Sequence, residues 1–283
     1  MQRYRILHRT YYNFSGQVNL GQHVLRLRPR ENFELQIVDF SVHIMPQPVI
    51  RWQQDVEGNS VGVAIFDAPS DQLFVESTAH IIHYNQDPFS FLVEPSAIDY
   101  PFQYAYEDSV TLAPYRMLPE PAIKLKLDKW IASFWQAGEA IQSFALLQRL
   151  NTAVNQRLAY QIREEPGVQS AAQTLEYGSG SCRDYATLFM ESARCLGFAA
   201  RFVSGYLHSL PSMTNYGSTH AWAEVYLPGA GWKGFDPTTG VVTAIDHIPV
   251  AVSRLPEAVP PIAGSFSGPA STGMEVGVWV TPS

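Results

Sequence analysis

Gly178-Ser179-Gly180-Ser181-Cys182-Arg183-Asp184-Tyr185-Ala186 is a glycine-rich approach to a helix. It runs into Ala186–Leu196, where Phe189, Met190, Ala193 and Leu196 share one helical face and Gly197 supplies the stop. Cys182 thus falls in the first helical turn. A thiol there feels the positive end of the helix dipole and faces backbone N–H groups without intrahelical acceptors, and both favour the thiolate. The same N–H groups can receive an oxyanion that develops on a substrate. Cysteine is not a favoured cap, and Ser181 beside it is a better one, so the thiol's place asks for a chemical reason. The second cysteine, Cys195, lies late in the same helix. At 1.5 Å per residue the two are about 20 Å apart, too far for a disulfide. Two free thiols fit a reducing compartment.

Beyond Gly197 the apolar period changes from a helical one to two. Ala200–Leu207 reads as a strand. His220–Leu227 reads as another, with Ala221, Ala223, Val225 and Leu227 on one face. Pro228-Gly229-Ala230-Gly231 is turn chemistry, and Gly231–Pro237 returns as a third strand. His220 opens its strand and Asp236 ends the next. An even four-residue loop would send Asp236 to the wrong face. An odd loop or one bulge sets it opposite Trp222, diagonal to His220 and about 7 Å away, on the same face. A nucleophilic thiolate needs a base that orients it and later protonates the leaving group, and that base needs an orienting partner. Cys182, His220 and Asp236 have the residue types for these three roles.

Upstream of the thiol, Ala122–Gln136 and Ser143–Leu158 space their apolar residues by three and four and read as amphipathic helices. Residues 1–113 differ in kind. Alternation at Tyr4-Ile6-His8 and Leu25-Leu27, and apolar runs at Leu35–Ile44, Val61–Phe66 and Leu73–His83, are separated by turn clusters such as Gly58-Asn59. The organisation expected is a β-rich domain over 1–113, a proline-rich linker over 114–121, a catalytic domain over 122–247 and a Pro/Gly-rich tail over 248–283. In that tail the alternating segment Met274–Val280 forms a terminal strand that rejoins a sheet.

Three blocks, Gly180-Ser181-Cys182-Arg183-Asp184-Tyr185-Ala186, His220-Ala221-Trp222-Ala223-Glu224-Val225 and Gly231-Trp232-Lys233-Gly234-Phe235-Asp236-Pro237-Thr238, resemble the signature blocks of the transglutaminase-like superfamily in order and spacing. Leu196–Tyr206 is similar to the segment that follows the catalytic helix in bacterial members. Tyr11-Tyr12-Asn13-Phe14 and Leu25-Arg26-Leu27-Arg28-Pro29-Arg30 resemble the β-rich domain that precedes the core in a bacterial subgroup. The resemblance implies an α+β fold: a papain-like core of one helix on an antiparallel sheet, preceded by an all-β, sandwich-like domain. It implies Cys182 as nucleophile, His220 as base and acid, Asp236 as orienter, and Arg183 and Asp184 as structural support.

The expected activity is cysteine-dependent acyl transfer on amide bonds of a protein or peptide, through a thioester. The polar run Leu207–Gly217 reads as an open rim rather than a tunnel wall, which favours hydrolysis (a protease or amidase) over amine transfer. A protein-glutamine transglutaminase and a non-catalytic scaffold that keeps the fold are the alternatives. Gln173 and Tyr177 are candidates for a second oxyanion donor. Trp222 and Trp232 are read as packing residues.

Composition excludes other classes. The chain of 283 residues carries a net charge of −7, without the basic stripe of a nucleic-acid binder. No apolar run has the length of a membrane span, and no secretory leader is visible, so a cytoplasmic protein is expected. His80 and His83 are three apart in a strand and point to opposite faces, so they cannot share an ion. No EF-hand loop, zinc motif or phosphate loop occurs, and neither metal nor cofactor is expected.

Overall fold

β1 (Gln2–Leu20) sets the architecture. At about 3.3 Å per residue it is some 60 Å long, enough to serve two cores. Its even-numbered side chains Tyr4, Ile6, His8 and Thr10 are buried, and so are Val18 and Leu20 at its far end. In the structure, a computed structural model that describes residues 1–163, 165–208 and 219–283, β6 (Ser70–His83) pairs along one flank of β1, and β3 (Leu35–Met45) pairs with β6. β11 (Thr272–Pro282) covers the other flank, from Tyr4↔Pro282 to Phe14↔Thr272. A second sheet holds Ile262-Ala263, β2 (His23–Leu25), β5 (Ser60–Ile65) and β4 (Val49–Gln54), in that order. Val18, Leu20, Leu25, Leu27, Leu73 and Val75 fill the space between the two sheets.

The rest of the chain builds α1 (Tyr106–Arg116), α2 (Lys124–Ala132), α3 (Ser143–Arg157), α4 (Ala171–Tyr177) and α5 (Cys182–Cys195). An antiparallel sheet follows, in the order Val241-Val242, β9 (Gly231–Asp236), β8 (Thr219–Leu227), β7 (Ala200–Leu207), β10 (His247–Ser253). α5 lies on one face of this sheet, where Ala221, Ala223, Val225, Leu227 and Phe235 meet Leu188, Phe189 and Met190. The other face is covered by the N-terminal half: Tyr206, Ile248 and Val250 share a core with Tyr4, Ile6, Ala79, Ile81 and Val278. Polar contacts bind the halves too. The Asn59 amide pairs with both backbone groups of Val252, and the Arg30 N–H donates to the Pro249 carbonyl. The fold is α+β, as expected.

Several elements depart from the sequence reading. Residues 114–121 are not an extended linker throughout: α1 runs to Arg116 with Pro114 inside it, and Pro121 opens a 3-10 turn. A proline so near a helix end removes one i→i−4 bond and is tolerated. The helix expected over Ala122–Gln136 ends at Ala132, where Phe134 and Trp135 turn their N–H groups back to the Ile131 carbonyl. β10 begins at His247 and pairs with β7, so the catalytic sheet continues past the boundary expected at 247. The terminal strand is longer than Met274–Val280. Among the described residues no helix is long and apolar enough to cross a membrane.

Candidate functional site

α5 starts where a buried carboxylate fixes the chain. Asp184 is fully buried and accepts from the Ser181 N–H (2.8 Å), the Ser181 hydroxyl (2.9 Å), the Gln169 N–H (2.7 Å) and Arg163 Nε (2.8 Å). Burial would raise its pKa, but these donors outweigh it and hold the carboxyl below its ordinary value. Gly180 has no room for a side chain, since a Cβ would stand 2.7 Å from that of Asp184. Arg183 donates to the carbonyls of Arg163 and Glu165. The role expected for Arg183 and Asp184, structural support, matches these contacts: they hold the turn that presents Cys182. The thiol is partly exposed, and its N–H, first in the helix, has no intrahelical acceptor.

The strands bring the other two groups. The loop between β8 and β9 has three residues, with Leu227↔Gly231 as the first pair and Ala223↔Phe235 as the last. This odd count carries Asp236 to the row of Trp222, on the face of His220. His220 Nε2 lies 2.8 Å from Asp236 Oδ2. That leaves Nδ1 free of Asp236, with Cys182 close enough to act on the imidazole. Burial alone would push the imidazole pKa down. The bonds to Asp236 and Cys182, and the negative charge of each, reverse this and push it up to about 10.

Asp236 is fully buried and saturated with donors. Oδ1 accepts the N–H groups of Thr238 (2.9 Å) and Thr239 (3.3 Å). Oδ2 accepts from His220, from the Thr239 hydroxyl (2.7 Å) and from His247 Nε2 (3.1 Å). Burial opposes ionisation, yet the hydrogen bonds from the two histidines and the charge of His220 hold the carboxyl far below its ordinary value. His247 is a member of this group that the sequence reading missed. It is 5% exposed, with its ring edge-on to Trp222 at 5.4 Å. The ligating atoms of His220, Asp236 and His247 lie within 4.8 Å of one another, a spacing in which a metal ion could be held. Each short contact there is already a hydrogen bond.

The candidate oxyanion donors fare differently. Gln173 closes the capping box of α4 with Ser170, and Tyr177 is 60% exposed at the end of that helix. Tyr160 is closer to the thiol. Its backbone pairs with Gly180, its ring meets the edge of Tyr185, and its hydroxyl is pushed up by burial and by the negative charges that Cys182 and Asp236 carry when ionised. Trp222 packs between Val203 and Val252, and Trp232 lies under the Arg201 guanidinium, so both are packing residues. His80 pairs with Asp39 outside while His83 turns inward to the His247 carbonyl, the opposite faces expected. Of the rim Leu207–Gly217, only Leu207 and His208 are described; positions 209–217 lie outside the described residues.

A helix that opens on a thiol, laid on an antiparallel sheet that offers an imidazole and a carboxylate, is the layout of papain-like and transglutaminase-like cores. Residues 136–237 match the transglutaminase-like superfamily, and residues 4–82 match the bacterial transglutaminase-like N-terminal region. The chain thus carries a transglutaminase-like core and a bacterial transglutaminase-like N-terminal region. An uncharacterised protein of Mycobacterium leprae (strain TN) is 27% identical over 286 residues, covering 99% of this chain and 99% of its own. Another, of Mycobacterium tuberculosis (strain H37Rv), is 27% identical over 303 residues, covering 99% and 93%. A crystal structure of a candidate cysteine protease from Cytophaga hutchinsonii superposes with a TM-score of 0.75 over 99% of this chain and 90% of that one. At 18% identity that likeness is one of fold.

Proposed function

We propose that this protein is a cysteine-dependent acyl-transfer enzyme that hydrolyses amide bonds in a protein or peptide. One observation carries the reading: His220 gives Nε2 to Asp236 at 2.8 Å, which leaves Nδ1 for the nearby Cys182 at the start of α5. In that arrangement the Cys182 sulfur attacks the amide carbon, and the carbonyl π electrons move to oxygen. The Cys182 N–H, at the positive end of α5, meets that oxyanion. As the tetrahedral species collapses, the C–N bond breaks, and the proton on His220 goes to the leaving nitrogen. A thioester remains. His220, now neutral, takes a proton from water, whose oxygen attacks the thioester carbon and expels the thiolate. Asp236 stays ionised throughout and stabilises the imidazolium.

Water is the favoured acceptor because the residues around the thiol stay open to solvent: Cys182 is partly exposed, and Tyr160, whose backbone pairs with Gly180, is 50% exposed. An aminolytic enzyme has to keep water from its thioester. The test offers a peptide-amide library, with and without a millimolar primary amine, to the wild-type chain and to Cys182→Ala. The expected result is acid product as the major species with the amine present, and no turnover by the variant. Amide product in excess over acid would make the protein a transglutaminase. Full turnover by Cys182→Ala would remove the thiol from the mechanism.

A further inference from the structure

Asp236 Oδ2 serves two imidazoles at once, His220 at 2.8 Å and His247 at 3.1 Å. His247 reaches it from β10, beyond β7, on the opposite side of the sheet from β9. The bonding pattern assigns its tautomer. Nδ1 accepts the Ala244 N–H at 3.4 Å, so the proton sits on Nε2, directed at the carboxylate. The ring cannot turn away: it is buried against Trp222, and Gly205, between the two strands, leaves no space that a Cβ would not fill against Trp222 and the Ile248 carbonyl.

The strand is held from behind by the N-terminal half. His83 Nε2 donates to the His247 carbonyl at 3.2 Å, and its own Nδ1 accepts the Asn85 N–H. Two residues on, the Arg30 N–H donates to the Pro249 carbonyl, and Ile248 sits in the core shared with Tyr4 and Ile81. His83 and His247 also line a cavity of about 260 Å³ at this junction.

We propose that His247 is a positioning residue for the reaction, a second imidazole that fixes the Asp236 carboxylate so that Oδ2 stays aimed at His220, with the bacterial-type N-terminal domain bracing it. The proposal rests on the hydrolytic reading above. A carboxylate in a dry site that loses one of its donors rotates toward others or loses ionisation, and either change loosens its hold on His220. The loss belongs to the chemical step, since His247 touches no substrate.

The experiment compares the full-length wild type with His247→Leu and His247→Gln, whose amide N–H keeps a donor near the carboxylate. His247→Leu should lower kcat about tenfold to a hundredfold, the range seen when an orienting partner is lost, with KM nearly constant. His247→Gln should recover a large part of that loss. Iodoacetamide alkylation of Cys182 at pH 7, which needs no substrate, should slow several-fold in His247→Leu. Wild-type kcat and alkylation in both variants would overturn the proposal, as would an equal loss in both that follows a fall in melting temperature. If His247→Leu does not fold, 15N-histidine spectra of the wild type decide: the His247 proton on Nδ1 would overturn the proposal, and on Nε2 would support it. One equivalent of zinc in the wild type, absent from His247→Gln and needed for turnover, would also overturn it by making the trio a metal centre. Turnover by Cys182→Ala, in contrast, sinks the hydrolytic reading while the alkylation and NMR arms still report on His247.

Discussion

Cys182 and Cys195 stand at the two ends of α5 and meet opposite surroundings. Cys195 donates to Asp128 at 3.2 Å, and burial, with that bond and the carboxylate's charge, pushes its thiol up to about 11. Cys182 lies beside an imidazole instead. Iodoacetamide at pH 7 is therefore expected to label Cys182 and leave Cys195 almost untouched, as read by peptide mass spectrometry. Comparable labelling of both would contradict the site. At this scale the three central residues were legible because each sits at an element boundary that sequence marks: a glycine-rich helix start, a strand opening, a strand end before proline. Asp236 needed a further condition, an odd loop, which Pro228–Ala230 meets. His247 gave no such mark. A histidine that opens an apolar strand reads as a core residue, and only the pairing of β10 with β7, a long-range event, brings it to Asp236.

α5 is wrapped more completely than one apolar face suggests, since every residue from Asp184 to Arg194 is buried. The apolar face named from sequence, Phe189, Met190, Ala193 and Leu196, records only one side of the helix and is silent on the burial of Glu191, Ser192 and Arg194. Arg194 is buried through partners remote in sequence, the carbonyls of Met117, Ala200 and Arg254. α4 escaped notice for another reason: seven residues are too short to establish a period, though the Ser170–Gln173 capping box is there in the letters. Glu191 carries a measurable cost. Burial, offset in part by Arg194, pushes its carboxyl from 4.5 up to about 7. The folded state then keeps a proton that the unfolded chain gives up. Its contribution is complete below pH 4.5 and is lost as pH rises through 7, about 3 kcal/mol in all. Glu191→Gln should raise the melting temperature at pH 8 and leave it unchanged near pH 4.5. A variant less stable than wild type at pH 8 would show that the charge is better solvated than its burial implies.

The whole molecule is joined by the core that β1 and β6 share with β7 and β10. Its polar member is His8, 1% exposed, with Nδ1 at 3.0 Å from the Tyr206 hydroxyl and Nε2 at 3.0 Å from Thr10 Oγ1. Burial pushes its pKa from 6.5 down to about 4, and it pushes His23 and His83 in the same direction. Here the unfolded chain binds the proton first. The stability due to His8 is complete above pH 6.5 and is lost as pH falls toward 4, again about 3 kcal/mol. Urea melts between pH 7 and 4 should show that slope, and His8→Gln should flatten it. An unchanged slope in the variant would move the acid sensitivity elsewhere. The β-rich half and the helix-and-sheet half were foreseeable from their periods; their mutual burial was not, because alternation tells which face is covered but not by what.

β1 is made ahead of the other strands described, and its partner β11 only after them. For all the time that the intervening chain is being made, one flank of β1 offers unpaired N–H and C=O groups to any extended segment that passes. The same late strand completes the N-terminal sheet by pairing with β1 and, through Val278, the core that this sheet shares with the sheet of β7 and β10. Translation that stops before Thr272 would thus release a chain carrying Cys182, His220 and Asp236, with the sheet that braces their strands still open along one side.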